Sequence, residues 1–168
     1  KNYAVMTGGN DVTSTNASGI YNETGASIGS ITNYQGGVIS NTSGVAGFGI
    51  YNDGTITTLN NAQGAGNAAG ALTYSGNLPA NYNIIINSPT SFGKLAVTGG
   101  VGSTNFGIYS ASKVHNGTYT SVLTGLTSSN LTTTSGTTDP TVVPTATGVT
   151  FGSFVSTGVS ANPNAGGR

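Results

Sequence analysis

Cysteine and tryptophan are missing from this 168-residue chain, and charge nearly is. Without cysteine, neither a disulfide scaffold nor a thiolate metal site can form. Charged residues make up 5% of the sequence: the bases Lys1, Lys94, Lys113 and Arg168 balance the acids Asp11, Glu23, Asp53 and Asp139, for a formal net charge of zero. Four scattered cations cannot build the basic stripe that neutralises phosphates, which excludes nucleic acid as a partner and an anionic bilayer as an electrostatic one. Near-zero charge also removes the self-repulsion that keeps proteins apart, and so favours association. No apolar run approaches the ~18 residues of a transmembrane helix, so no membrane insertion by this chain is expected. No secretory leader stands at Lys1, and export is expected to act on a form that carries its signal elsewhere.

Glycine, at 28 residues, and Asn, Thr and Ser fill the places that Lys and Glu take in an ordinary soluble domain. Such a composition is compatible with disorder, because weak burial cannot offset the entropy of folding. The apolar residues are nevertheless clustered at regular intervals, as IIINS at 84–88, KLAV at 94–97 and TSVLTGL at 120–126, and this patterning predicts ordered β structure.

Residues 19–36 read GIYNETGASIGSITNYQG and residues 49–64 read GIYNDGTITTLNNAQG, two nearly identical phrases thirty residues apart. A shorter unit lies inside them: an aliphatic residue, any residue, Asn, two further residues, Gly. It occurs as IYNETG (20–25), ITNYQG (31–36), ISNTSG (39–44) and LNNAQG (59–64), with a shortened copy IYNDG at 50–54. Chance predicts about 0.3 such matches in a chain of this composition, so the unit is a true repeat. Its starts alternate between long and short steps, and alternate units recur every 19 or 20 residues. This predicts an all-β fold, a short parallel β-helix or solenoid with two-sided coils of about 19 residues, followed by a C-terminal block that contains a β-hairpin. The aliphatic residue points inward and its neighbour outward, as strand side chains alternate. Asn22, Asn33, Asn41, Asn52 and Asn61 end the strands, since Asn tolerates left-handed geometry and hydrogen-bonds locally. Gly25, Gly36, Gly44, Gly54 and Gly64 complete the turns. Stacked coils then place Asn22 over Asn41 and Asn33 over Asn52 as ladders. A set of independent hairpins with Asn-Gly turns is the competing arrangement.

The predicted organisation has an N-terminal cap or docking segment at 1–18 and solenoid repeats at 19–81. A C-terminal β block follows at 82–126, then a Ser/Thr/Pro-rich loop with a last strand at 148–156 and a flexible tail, 127–168 together. Within the β block, strands are expected at 82–87, 92–98, 104–110 and 118–124, with a hairpin turn at Asn116-Gly117.

Chemistry is sparse. Glycoside hydrolysis typically needs two carboxylates about 5–10 Å apart, and the two-sided coil puts Glu23 and Asp53 on opposite sides of the solenoid. The same reasoning separates the outward Tyr21 and Tyr51, which could otherwise stack on sugars as one patch. His115, the single histidine, has no serine and aspartate grouped with it for nucleophilic catalysis. No metal site or cofactor is expected, and GGVG at 99–102 lacks the helix and Lys-Ser/Thr of a phosphate loop. The T-x-T pairs Thr13/Thr15 and Thr55/Thr57 do not recur with the coil, which weighs against ice binding.

The GIYNxGTIxxLxN phrasing, with YNIIINSPTSFGKLAVTG at 82–99 and GTYTSVLTGL at 117–126, resembles the passenger regions of bacterial autotransporter adhesins. The resemblance covers residues 19–64 for the repeat and about 82–126 for the terminal block. It implies a parallel β-helix that carries length, closed by a C-terminal block that supports folding. It departs from that family in lacking the export β-barrel and in a solenoid of only about three coils. The expectation is an extracellular, non-enzymatic structural solenoid of a bacterial surface fibre or adhesin. Its partners are expected to be itself, head to tail through strand edges at the solenoid ends, and surface glycans. A carbohydrate-active β-helix enzyme (lyase or glycosidase) is the alternative, and an ice-binding protein the minor one.

Overall fold

The computed structural model describes residues 1–8, 17–42, 46–115, 117–132, 143–147 and 150–156. The chain is all-β, with no α-helix among the described residues, and its parallel sheets form a β-solenoid of about four turns. Two sheets run the length of the stack. The first is made of β2 (Ile20–Asn22), β5 (Ile50–Asn52), β8 (Leu72–Asn77), β12 (Leu95–Val101) and β14 (Gly117–Thr124), each parallel to its neighbour. The second is made of β3 (Ser27–Asn33), β6 (Thr55–Asn61), β9 (Asn81–Ile84) and β13 (Asn105–Ile108), also parallel. A third, less regular side carries β1 (Val5–Thr7) parallel to β4 (Val38–Ser40). Further along that side, β7 (Gly64–Ala65), β11 (Ser91–Gly93) and β10 (Ile86–Ser88) pair antiparallel.

The solenoid is therefore as the repeat predicts, but its coil is not. Ile20 lies beside Ile50 and Ile31 beside Leu59, so the first coil steps are 30 and 28 residues. Later steps are 24 and 23 residues, from Gly49 to Thr73 and from Asn60 to Asn83. A coil has three sides rather than two. The units at 31–36 and 39–44 are successive corners of one coil, where the two-sided reading places them in different coils. The doubled phrase at Gly19 and Gly49 marks the true coil.

Strand alternation turns one face of each sheet inward, and stacking supplies each coil's apolar side chains with partners above and below. In the first sheet Ile20, Ile50, Tyr74 and Val97 follow one another in register, and in the second Ile31, Leu59, Tyr82 and Phe106. Leu72, Leu95 and Leu123 form a third column. Ile50, Leu59, Leu72, Tyr74, Tyr82 and Phe106 are all fully buried. At roughly 1.5–3 kcal/mol for each large buried apolar side chain, these columns dominate cohesion.

The coils continue past the change of composition after Gly64: β9 is the third strand of the second sheet, with Tyr82 on Leu59. At the N-terminal end, Asn2 bridges Asn33 and β1 lies along β4, so residues 2–7 cross the outer edges of the first coil. At the other end, β16 (Thr150–Ser156) runs antiparallel to β14, and β15 (Val143–Thr147) antiparallel to β16. This antiparallel pair lies outside the predicted 82–126 block, and β15 is a strand where a loop is expected. The hairpin expected around 116–117 is absent in that form: residues 110–115 form no strand, Asn116 lies outside the described residues, and β14 runs parallel to β12.

Candidate functional site

Four of the five strand-ending asparagines are buried: Asn22, Asn33, Asn52 and Asn61 close β2, β3, β5 and β6. An amide has donors and acceptors that cannot be left unpaired in an apolar interior, and here they join the coils. Asn22 Nδ2 donates to Asn52 Oδ1 at 2.7 Å, and Asn52 Nδ2 donates onward to the Asn77 carbonyl at 2.7 Å and the Tyr74 hydroxyl at 3.1 Å. On the neighbouring corner Asn2 Nδ2 donates to Asn33 Oδ1 at 3.0 Å. Asn33 Nδ2 then donates to Asn61 Oδ1 at 3.3 Å and Gln63 Oε1 at 3.2 Å. Asn61 Nδ2 reaches the Gln63 and Lys94 carbonyls. The ladders thus run 22 to 52 and 33 to 61, not 22 to 41 and 33 to 52. Asn41, half-buried just after β4, belongs to neither ladder and donates to the Thr42 carbonyl at 3.3 Å.

Among the turn glycines, Gly25 and Gly36 lie at φ 83° and 86°, conformations that an L side chain rarely adopts. Gly54 and Gly64 are required for space: a Cβ on Gly54 would lie 2.3 Å from the Ala26 carbonyl oxygen, and one on Gly64 would lie 2.4 Å from the Lys94 nitrogen. Gly44 lies outside the described residues.

Gln63 is the residue that sequence reasoning missed. Only 2% exposed, it accepts from Asn33 and from the Ile39 backbone N–H at 2.8 Å, tying the second sheet to the third side. The signal was present in the shared Gln of ITNYQG and LNNAQG. Tyr74 and Tyr82 end the ladders: burial pushes both phenols well above the ordinary value, partly offset by the hydrogen bonds from Asn52 and Asn61.

The outer face of the first sheet needs a correction. Because Ile20 pairs with Ile50, Tyr21 falls beside Tyr51 on the same side of the solenoid, with ring centroids 5.6 Å apart and planes inclined by 23°. Phe48 continues the row at 6.2 Å and 27° from Tyr51. Glu23 and Asp53 follow the paired Asn22 and Asn52, so the two carboxylates share a side as well; the separation expected from a two-sided coil does not hold. Glu23 is exposed and Asp53 half-buried. The Tyr21 phenol is raised by burial first and then by the negative charges of Asp53 and Glu23.

The remaining candidates are spread over the molecule. His115 is exposed, its backbone bonded both ways to the Tyr119 hydroxyl. Thr55 and Thr57 are exposed on β6, whereas Thr13, Thr15, Asp11, Asp139 and Arg168 lie outside the described residues. A groove of about 280 Å³ is lined by Gln35, Ala62, Ala65, Gly66, Asn67 and Ser91 among others, and among the described residues no titratable side chain lines it. Among the described residues no three His, Cys, Asp or Glu are grouped to hold a metal ion, and no helix is long and apolar enough to cross a membrane. No protein-family model, curated protein or solved structure matches the chain.

Proposed function

We propose that the chain is a non-enzymatic structural β-solenoid, a subunit or segment of a bacterial surface fibre or adhesin, which associates through strand edges at its ends. The observation that carries this reading is the N-terminal end of the stack. Among the described residues β1 and β2 are the outermost strands there, and Tyr3, Val5 and Met6 on that coil are 64%, 69% and 39% exposed. An edge with unpaired backbone groups and apolar side chains templates pairing with another chain, and the nearly uncharged surface offers little repulsion. Head-to-tail contacts that do not close give filaments. Extracellular placement rests on the composition and on the resemblance of the repeat phrases to adhesin passengers.

Sedimentation and negative-stain microscopy across a concentration series test the association. Assemblies that grow with concentration, and that Val5→Pro with Met6→Lys abolishes while circular dichroism is retained, are the expected result. Dispersed monomers at the highest concentration reached would overturn self-association and leave a passenger segment.

The placement of Glu23 and Asp53 on one side favours a second reading, a carbohydrate-active β-helix enzyme. Against it, a general acid needs burial to keep its proton near neutral pH, and Glu23 is exposed. Cleavage of acidic polysaccharides that Glu23→Gln abolishes would establish it.

A further inference from the structure

We infer that the outer face of the first sheet binds an amino-sugar chain: the row Tyr21–Tyr51–Phe48 supplies the stacking surface, and Glu23 and Asp53 the counter-charge for a sugar ammonium. The inference stands whether or not the chain self-associates.

The aromatic row is fixed by the fold. Ile20 and Ile50 turn into the core, so Tyr21 and Tyr51 must turn out, and parallel pairing in register brings them to 5.6 Å. Phe48, at the corner leading into β5, adds a third ring beside Tyr51. All three rings are only half-buried. Tyr21 stands on the edge strand of its sheet, so no further described strand extends the sheet beyond it. Aromatic residues presented outward together offer a rigid apolar surface with a polar phenol at its margin, which suits the C–H face and hydroxyls of a pyranose ring.

The charge narrows the ligand. Glu23 and Asp53 are the only carboxylates among the described residues, and each stands two residues after a tyrosine of this row, Glu23 after Tyr21 and Asp53 after Tyr51. Neither forms an ion pair among the described residues, and both act on the Tyr21 phenol. An acidic sugar is repelled at such a place, and a neutral one leaves the charges unused. A protonated amino sugar satisfies both features, since an ammonium is attracted by carboxylates and by the negative face of an aromatic ring. The convex, open position suits a chain lying across the surface more than a small molecule enclosed by it.

The test is calorimetric titration with a glucosamine hexamer at low salt and about pH 5.5, where ordinary carboxylates remain ionised, at protein concentrations where sedimentation shows no association. The N-acetylated hexamer serves as the neutral comparison. Binding of the glucosamine chain is expected, weakened at least about tenfold by Tyr21→Ala and by Glu23→Gln with Asp53→Asn. Tyr21→Phe, which keeps the ring, retains it. Circular dichroism of each variant separates loss of the site from loss of the fold. Equal affinity for the acetylated hexamer, or unchanged affinity after neutralising both carboxylates, overturns the role of charge. No binding of the glucosamine chain overturns the site.

Discussion

Replacing Asn52 with Ala removes the centre of the first amide ladder and leaves the aliphatic columns intact. Asn52 is fully buried, accepts from Asn22 Nδ2 at 2.7 Å, and donates to the Asn77 carbonyl at 2.7 Å and the Tyr74 hydroxyl at 3.1 Å. Neither end is wholly orphaned by the substitution. Asn22 Nδ2 keeps the Thr55 carbonyl at 3.1 Å, and the Asn77 carbonyl keeps the Tyr74 hydroxyl at 2.5 Å. The cost is therefore about 1 kcal/mol for each of the three bonds, about 3 kcal/mol in all, without the larger penalty of an abandoned polar group. Urea unfolding followed by circular dichroism, with an unchanged slope, measures it. A double-mutant cycle sharpens the test: Asn22→Ala and Asn52→Ala share one bond and couple by about 1 kcal/mol, whereas Asn33→Ala and Asn52→Ala belong to separate ladders and add. A cost for Asn52→Ala below about 0.5 kcal/mol, or coupling to Asn33 in place of Asn22, would refute the ladder and the 30-residue coil with it.

Three other predictions address register, space and ionisation. Ser27 and Thr55 hydroxyls are 2.7 Å apart across neighbouring coils, so Ser27→Cys with Thr55→Cys should oxidise to a disulfide. In a chain with no other thiol, non-reducing electrophoresis reads it directly, and closing a loop of this size should raise stability by about 3 kcal/mol. Gly54→Ala forces a Cβ to within 2.3 Å of the Ala26 carbonyl oxygen and should cost about 2 kcal/mol or more. Gly29→Ala, within β3 with nothing near its Cβ, should stabilise by about 0.5 kcal/mol in the same unfolding assay. Burial raises the Tyr74 and Tyr82 phenols above their unfolded value of 10.0. Their contribution to stability is therefore complete below about pH 10 and is lost as pH rises above it, when only the unfolded chain ionises. Alkaline unfolding followed by phenolate absorbance should begin there, and Tyr82→Phe should shift it to higher pH.

The strand-and-turn grammar was legible in the sequence because it is local: an inward aliphatic, an outward neighbour, an Asn that ends the strand and a Gly that turns. Coil length was not legible in the same way. Ile31 and Ile39 open units as good as those at Ile20 and Ile50, because every corner of a three-sided coil asks for the same local chemistry. Which corners stack is decided by closure of the coil, a long-range property. The larger identity, GIYN written twice, carried that information; the shorter identity obscured it. Past residue 64 the grammar fell silent while the fold went on. Tyr74 takes the place of Ile50, Tyr82 that of Leu59, and Gly76 that of Asn52, exchanges that keep large side chains in the core columns without preserving the phrase. The aromatic row with Glu23 and Asp53 was hidden for the same reason: its members were all visible, but the wrong period dispersed them.

Within the core the amide ladders stop at Tyr74 and Tyr82, midway along the stack, while outside it Asn83 donates to Asn60 and Asn105 to Asn81 along the second sheet. Beyond them, cohesion passes to leucines and to ring contacts such as Tyr82 with Phe106 and Phe92 with Tyr119. The two parts of the molecule therefore respond differently to temperature. Hydrophobic attraction fades on cooling, whereas amide-to-amide hydrogen bonds have no such dependence on ordered water. On cooling, the core beyond Tyr74 and Tyr82 is expected to weaken more than the core before it, where buried amide bonds add to the apolar columns, so the response to cold is graded along the stack axis.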